Sequence, residues 1–233
     1  MSVRIGTLPS LDRSDARVVL ASTWRVGTPQ RQRAAVEAIA RTWRSRPWPD
    51  EGLLAYSVLT STDGGTLLHY SQWRDLTAYE SYAMNHRDER FAEIEAAVPG
   101  IERGGLHAYE LYRSTPAARE AGTPGCVVIV DITFEGPDPR RQRDWVDAVF
   151  EALGSDPAPH PGGISAHFHT GLDGSRVLNF AEWESERAHV EALAAAGEGV
   201  GSPTEQWQRV QTFPGLSGSR VTRYLPAISI EAA

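Results

Sequence analysis

The chain is written twice. Residues 63–73 read DGGTLLHYSQW and residues 173–183 read DGSRVLNFAEW, an offset of 110. At the same offset Pro29, Gln32 and Arg33 fall on Pro139, Gln142 and Arg143. Upstream, Val18-Val19-Leu20 matches Val127-Val128-Ile129 at an offset of 109. Near the end of each half, Pro99-Gly100-Ile101 matches Pro214-Gly215-Leu216 at 115. Four matches in one order mark two homologous domains fused in one chain, so the fold must be one that each half can adopt by itself.

Each half has the same coarse layout. An apolar run rich in β-branched residues opens it, Arg17 to Val26 and then Cys126 to Phe134. Gly-Thr-Pro or Gly-Pro-Asp-Pro breaks the strand and starts a helix with Pro early in it. That helix carries apolar residues at helical spacing, Val36, Ile39, Ala40 and Trp43 first, then Trp145, Val146, Val149 and Leu153. A hairpin follows with Asp63-Gly64 or Asp173-Gly174 as its turn. A second helix is expected from near Thr77 or Ser185, and a last strand around 107–112 or 219–225. The order β-α-β-β-α-β is that of a ferredoxin-like sandwich, an antiparallel sheet with both helices on one face. Such a half leaves its other sheet face bare, which predicts an α+β chain of two ferredoxin-like repeats packed sheet to sheet as a pseudo-dimeric α+β barrel. The expected bounds are a flexible tail over 1–15, repeat 1 over 16–113, a linker over 114–124 and repeat 2 over 125–233.

Composition narrows the function classes. The 233 residues include 7 Trp, 7 Tyr and 6 Phe, which need a core. The 23 basic residues, all arginine, against 30 acidic ones give a net charge of −7, a poor surface for nucleic acid. One cysteine, Cys126, excludes an internal disulfide framework and any multi-thiolate metal site; opening a strand, it reads as a small buried hydrophobe. No run approaches a membrane span and the first residues have no apolar signal region, so a cytoplasmic protein with no membrane partner is expected.

The segment Leu178-Asn179-Phe180-Ala181-Glu182-Trp183-Glu184-Ser185 resembles the Asn-x-x-x-Trp segment of the antibiotic biosynthesis monooxygenase family, and the resemblance covers nearly the whole chain, once per half. The resemblance implies ferredoxin-like domains pairing as α+β barrels. It further implies an oxygenase acting on a polycyclic aromatic polyketide, forming a quinone from an anthrone or phenol or opening a ring. No bound cofactor is implied; dioxygen is a substrate, and reduced flavin serves as a diffusible co-substrate in the ring-opening branch. A haem-degrading branch places a ligating His where this chain has Ala83 and Leu193, which disfavours haem. Polyketide cyclases and non-catalytic aromatic-ligand-binding proteins on the same fold are the alternatives, and a homodimer of the pseudo-dimer is compatible with the sequence.

The chemistry says which residues matter. Triplet oxygen reacts with a closed-shell molecule only after taking one electron, and a deprotonated anthrone or phenol can itself be the donor. The protein must supply a base, donors for enolate and peroxide oxygen, and a dry aromatic pocket. Asn179 and Trp183 lie four apart on a strand and share a face; His69 and Trp73 are their equivalents, with His replacing Asn. Tyr79 and His189 follow each Trp by six residues and are candidate proton carriers, while Tyr70, Phe180, His167 and His169 are candidate substrate contacts. His167 and His169 with His160 are the one metal-like group, but no third ligand or carboxylate is visible and no metal is expected. The stretch Asn85-His86-Arg87-Asp88-Glu89-Arg90 reads as a solvated helix face, and Gly197 to Gly201 as a flexible lid.

Overall fold

The structure is a computed structural model that describes all residues except 1, 6, 7, 50, 51, 116–121, 156–160, 195–201, 232 and 233, and the side chains of residues 2–5. The first half runs Ser2–Ile5 (β1), Val18–Arg25 (β2), Pro29–Ser45 (α1), Leu53–Ser61 (β3), Thr66–Trp73 (β4), Leu76–Asn85 (α2), Arg87–Ala97 (α3) and Glu102–Ser114 (β5). The second runs Cys126–Phe134 (β6), Pro139–Ser155 (α4), Gly163–Gly171 (β7), Arg176–Trp183 (β8), Glu186–Ala194 (α5), Glu205–Gln211 (α6) and Leu216–Glu231 (β9). Strand order is β5-β2-β4-β3 in the first repeat and β9-β6-β8-β7 in the second, each the antiparallel order of a ferredoxin-like sheet. The chain is α+β with two ferredoxin-like repeats.

Two compact units divide the chain, one of Met1–Tyr109 with Tyr224–Ala233, the other of Glu110–Arg223. In the first unit the final residues of β9 add a strand to the β3 edge, with Val58 opposite Ile228 and Tyr56 opposite Ile230. The last strands, expected over about six residues, reach 13 residues in β5 and 16 in β9, the latter because its end pairs with β3. The expected N-terminal tail is corrected in the same place: Ser2–Ile5 pair with Ile228–Glu231, and Leu11 is buried. The middle of the expected linker, residues 116–121, and the glycine-rich segment 197–201 lie outside the described residues.

The repeated residues meet in space within each half. Thr28 caps α1 by accepting from Arg31 N, with Pro29 in its first turn, where a missing N–H costs nothing. The Gln32 amide is buried on that helix and donates to Ser61 O (3.1 Å) and Thr66 O (2.8 Å), tying the helix to the two ends of the β3–β4 turn. Gln142 does the same at Gly171 O (3.1 Å) and Arg176 O (2.7 Å). In that turn Gly64 has φ +76°, and a Cβ there would lie 2.4 Å from Pro29 Cγ; Gly174, also at φ +76°, would press on Asp138 N and Pro139 Cδ. Arg31 donates to Val26 O (2.7 Å) and Pro99 O (2.6 Å). The repeat is therefore a set of contacts that lock helix, hairpin and last strand together.

Both second helices are broken where one was expected. His86 leaves helical geometry (φ −135°) between α2 and α3, at an Asn-His pair that favours the helix weakly. The first unit's core joins Leu20, Trp24, Ile39, Trp43, Leu67, Trp73, Ile94 and Ile228. The second packs Phe134, Trp145, Val149, Phe168 and Trp207 together, with Cys126, Val128 and Trp183 in a separate cluster.

Candidate active site

The first unit holds a cavity of about 240 Å³ between its sheet and its helices. Alternation along β4 puts His69, Ser71 and Trp73 into it, and β2 supplies Ser22 and Trp24. Tyr56 enters from β3, Trp43 from α1, Tyr79 and Tyr82 from α2, and Arg87, Arg90 and Phe91 from α3. Arg103 and Gly104 close it from β5. A Cβ at Gly104 would lie 2.6 Å from Thr23 O, beside the shift in β2–β5 register between Ser22 and Trp24.

His69 is the polar centre. The Tyr56 hydroxyl and His69 Nδ1 share a hydrogen bond of 2.6 Å, and the Trp24 ring lies 3.9 Å from the imidazole. His69 Nε2 is buried without a hydrogen bond partner among the described residues. Burial, with Arg103 adding to it, lowers the imidazole pKa to about 3, so His69 is neutral at ordinary pH. Burial also pushes the Tyr56 phenol well above its usual range, which keeps its proton in place. Trp73 is a wall rather than a donor, because its indole N–H is taken by Ser71 Oγ (2.8 Å). Tyr79 meets the Trp73 ring edge-on at 5.4 Å, and its hydroxyl accepts from Arg87 Nη1 (3.4 Å).

Among the described residues, three guanidinium groups and no carboxylate line the cavity. Arg103 packs over Trp24 and Phe91, and Arg90 over Trp43 at 4.7 Å and Tyr82 at 5.7 Å. The segment 85–90, expected to be a solvated face, is thus corrected at Arg87 and Arg90. The pattern Arg87, Arg90, Phe91, Ile94 is an i, i+3, i+4, i+7 stripe, and that spacing could have revealed it. Tyr56 was also missed. Val58 pairs with His69, which leaves Tyr56 two residues along the same face, within reach of a diagonal contact. Tyr70 alternates to the opposite face of β4, fully buried, and is not among the residues lining this cavity.

The second unit places its candidates differently. Asn179 is half-buried on β8, with Oδ1 buried and unpartnered, and Trp183 shares its face. Phe180 points to the other face, fully buried, as Tyr70 does. His189 meets the Trp183 ring at 4.9 Å and accepts from Arg223 Nε at Nδ1 (2.9 Å). Burial first, and Arg223 second, lower its pKa to about 4. His167 is held by Ser114 Oγ (2.9 Å) and Ser165 Oγ (3.0 Å), and Ser165 Oγ donates to Glu182. His169 Nδ1 lies against the His167 and Leu178 carbonyls, and burial lowers its pKa to about 4. Neither histidine lines the cavity of the first unit, and no group of three metal-ligating side chains occurs among the described residues. His160 lies outside the described residues. Ala166 and Ala181 pair in β7–β8 where Tyr56 and Ser71 pair in β3–β4, so the second repeat has no counterpart of the Tyr56–His69 pair.

No family model matches the sequence, and no curated protein matches it. The fold does match solved structures. An anthrone oxidase-like protein superposes with a TM-score of 0.69 at 18% identity, covering 100% of this chain and 97% of that one. A candidate monooxygenase from Lactobacillus acidophilus gives 0.54 at 9% identity, over 93% of this chain and all of the other. A chlorite dismutase from Candidatus Nitrospira defluvii gives 0.54 at 11% identity, covering 92% of each. Among the described residues, no helix is long and apolar enough to cross a membrane. The chain therefore shares the ferredoxin-like α+β fold of anthrone oxidase-like and monooxygenase-like proteins, the fold that its repeated segment at His69–Trp73 and Asn179–Trp183 resembles.

Proposed function

We propose that this protein is an oxygenase that tailors a polycyclic aromatic polyketide, an anthrone or a phenol, in the His69 cavity. The observation that carries the reading is His69: a buried neutral imidazole with one nitrogen held by Tyr56 and the other unpartnered in an aromatic cavity. Anthrone-type rings lie against the aromatic walls of Trp24, Trp43 and Tyr82 and place the acidic ring C–H, or a phenol O–H, at Nε2. An imidazole depressed to about 3 is a weak base by itself. Forming the enolate beside Arg103 lowers the cost of proton transfer, because a charge about 4 Å from a cation gains roughly 4 kcal/mol at an effective dielectric of 20, or about three pKa units, and the imidazolium–enolate attraction lowers it further. His69 Nε2 takes the substrate proton, the enolate gives one electron to O2, and the radicals combine to a peroxide. Loss of water from the peroxide leaves the quinone. Arg103 holds the developing oxyanion and the apolar walls exclude water.

This reading uses no resident cofactor, takes O2 as substrate and retains reduced flavin as the diffusible reductant of the ring-opening alternative. It places the chemistry at His69, with Trp73 and Tyr79 as cavity walls, ahead of Asn179, Trp183 and His189. The test is oxygen consumption with an anthrone, with and without reduced flavin. Uptake without flavin supports direct oxidation, and uptake only with flavin, above its own autoxidation, supports ring opening. Binding without uptake in either condition overturns the oxygenase and leaves a cyclase or a binding protein.

A further inference from the structure

Arg90 is a buried cation whose described hydrogen-bond acceptors are uncharged. Its side chain is 4% exposed, its guanidinium lies over Trp43, and its described acceptors are two carbonyls, Pro47 O (2.8 Å) and His86 O (3.5 Å). Its Nε is buried with no hydrogen bond partner among the described residues. Glu89 and Glu93 on its helix both pair with Arg46, and Glu93, which is also partly exposed, acts on Arg90 only as a through-space charge without an ion-pair contact. Among the described residues no ion pair holds Arg90 and no Asp or Glu lines the cavity. Burying a guanidinium without a counter-charge is costly, and carbonyls and ring faces offset only part of it. Arg87 lines the same wall, one helical turn away, and bonds Tyr79.

Resting on the reading of this cavity as the substrate site, we propose that it takes an aromatic substrate bearing a carboxylate, which docks on the Arg90 guanidinium with Arg87 beside it. Arg103, packed over Trp24 beside His69, is left for the enolate oxygen. The cavity thus has two cationic places, one for a charge that develops in the reaction and one for a charge the substrate brings. A planar carboxylate can accept two parallel N–H bonds from one guanidinium, which fixes the orientation of the ring it is attached to.

The experiment is anaerobic binding near neutral pH, read by tryptophan fluorescence quenching, of anthraquinone-2-carboxylate and its equal-sized carboxamide. The carboxylate is expected to bind about tenfold more tightly or better, as charge-assisted hydrogen bonds exceed neutral ones. Arg90→Gln is expected to erase that preference and Arg90→Lys to keep part of it. Arg87→Gln, which leaves the Pro47 and His86 carbonyl contacts untouched, is expected to reduce it and decides the matter if Arg90→Gln fails to fold. Equal binding, tighter binding of the amide, binding of neither, or a preference that survives both Gln variants overturns the proposal. Oxygen uptake is a separate readout. A carboxylate preference without uptake refutes the oxygenase alone, and uptake without a preference refutes only the carboxylate site.

Discussion

Replacing His69 by Asn, the residue the second repeat carries at Asn179, should change how the protein responds to acid. Burial penalises the charged form and holds the imidazole pKa at about 3 in the folded chain, against its ordinary 6.5. The folded pKa is depressed, so the unfolded chain binds this proton more readily, and the stability is lost as pH falls from 6.5 towards 3. At about pH 4.5 the unfolded imidazole is almost fully protonated and the folded one almost fully neutral, which costs the fold about 3 kcal/mol. His169 and His189, both near 4, are lost from stability in the same direction. They titrate in parent and variant alike and cancel in the comparison. Chemical denaturation of both proteins at about pH 7 and pH 4.5 isolates His69. The parent should lose about 3 kcal/mol more than His69→Asn between those two conditions. Equal losses would mean that His69 is not held neutral by burial and would remove the electrostatic basis of the site.

Three further outcomes follow from individual contacts. Tyr56→Phe leaves His69 Nδ1 buried without its partner, so it should lower stability by about 1–3 kcal/mol in denaturant titrations and reduce kcat more than KM. Gly64→Ala must place a side chain at φ +76° against Pro29 and should cost at least about 2 kcal/mol. By contrast Gly65→Ala, whose Cβ would rest 3.4 Å from Asp63 Oδ1, should leave the melting temperature nearly unchanged. With His69 neutral throughout, kcat/KM should show no break near 6.5; such a break in the parent, absent in His69→Asn, would contradict the assignment.

The fold was legible in the sequence because the repeated residues are the ones that fix it. Pro29, Gln32, Asp63 and Gly64, and their counterparts at 139, 142, 173 and 174, are matched because helix, turn and hairpin touch there. What alternation encodes was also readable: His69 and Trp73 share a face, as do Asn179 and Trp183. The longer reach of β5 and β9 was not, since extra strand residues are decided by which edge lies free rather than by local propensity. Tyr56 escaped because its meeting with His69 depends on register across the hairpin. Arg90 escaped for a different reason. An arginine in an acidic stretch looks solvated, and only the position of Trp43 and Tyr82 makes it an inward-facing cation.

The most direct test of the central claim is anthrone-dependent oxygen uptake in His69→Ala beside Asn179→Ala, with folding of both checked by circular dichroism. If the cavity of the first unit is the reactive site, His69→Ala should lower the enzyme-dependent rate by about 100-fold or more, the usual range for a lost proton-transfer group, while Asn179→Ala stays near the parent rate. A rate that survives in His69→Ala and falls in Asn179→Ala would move the chemistry to the second repeat and contradict the account.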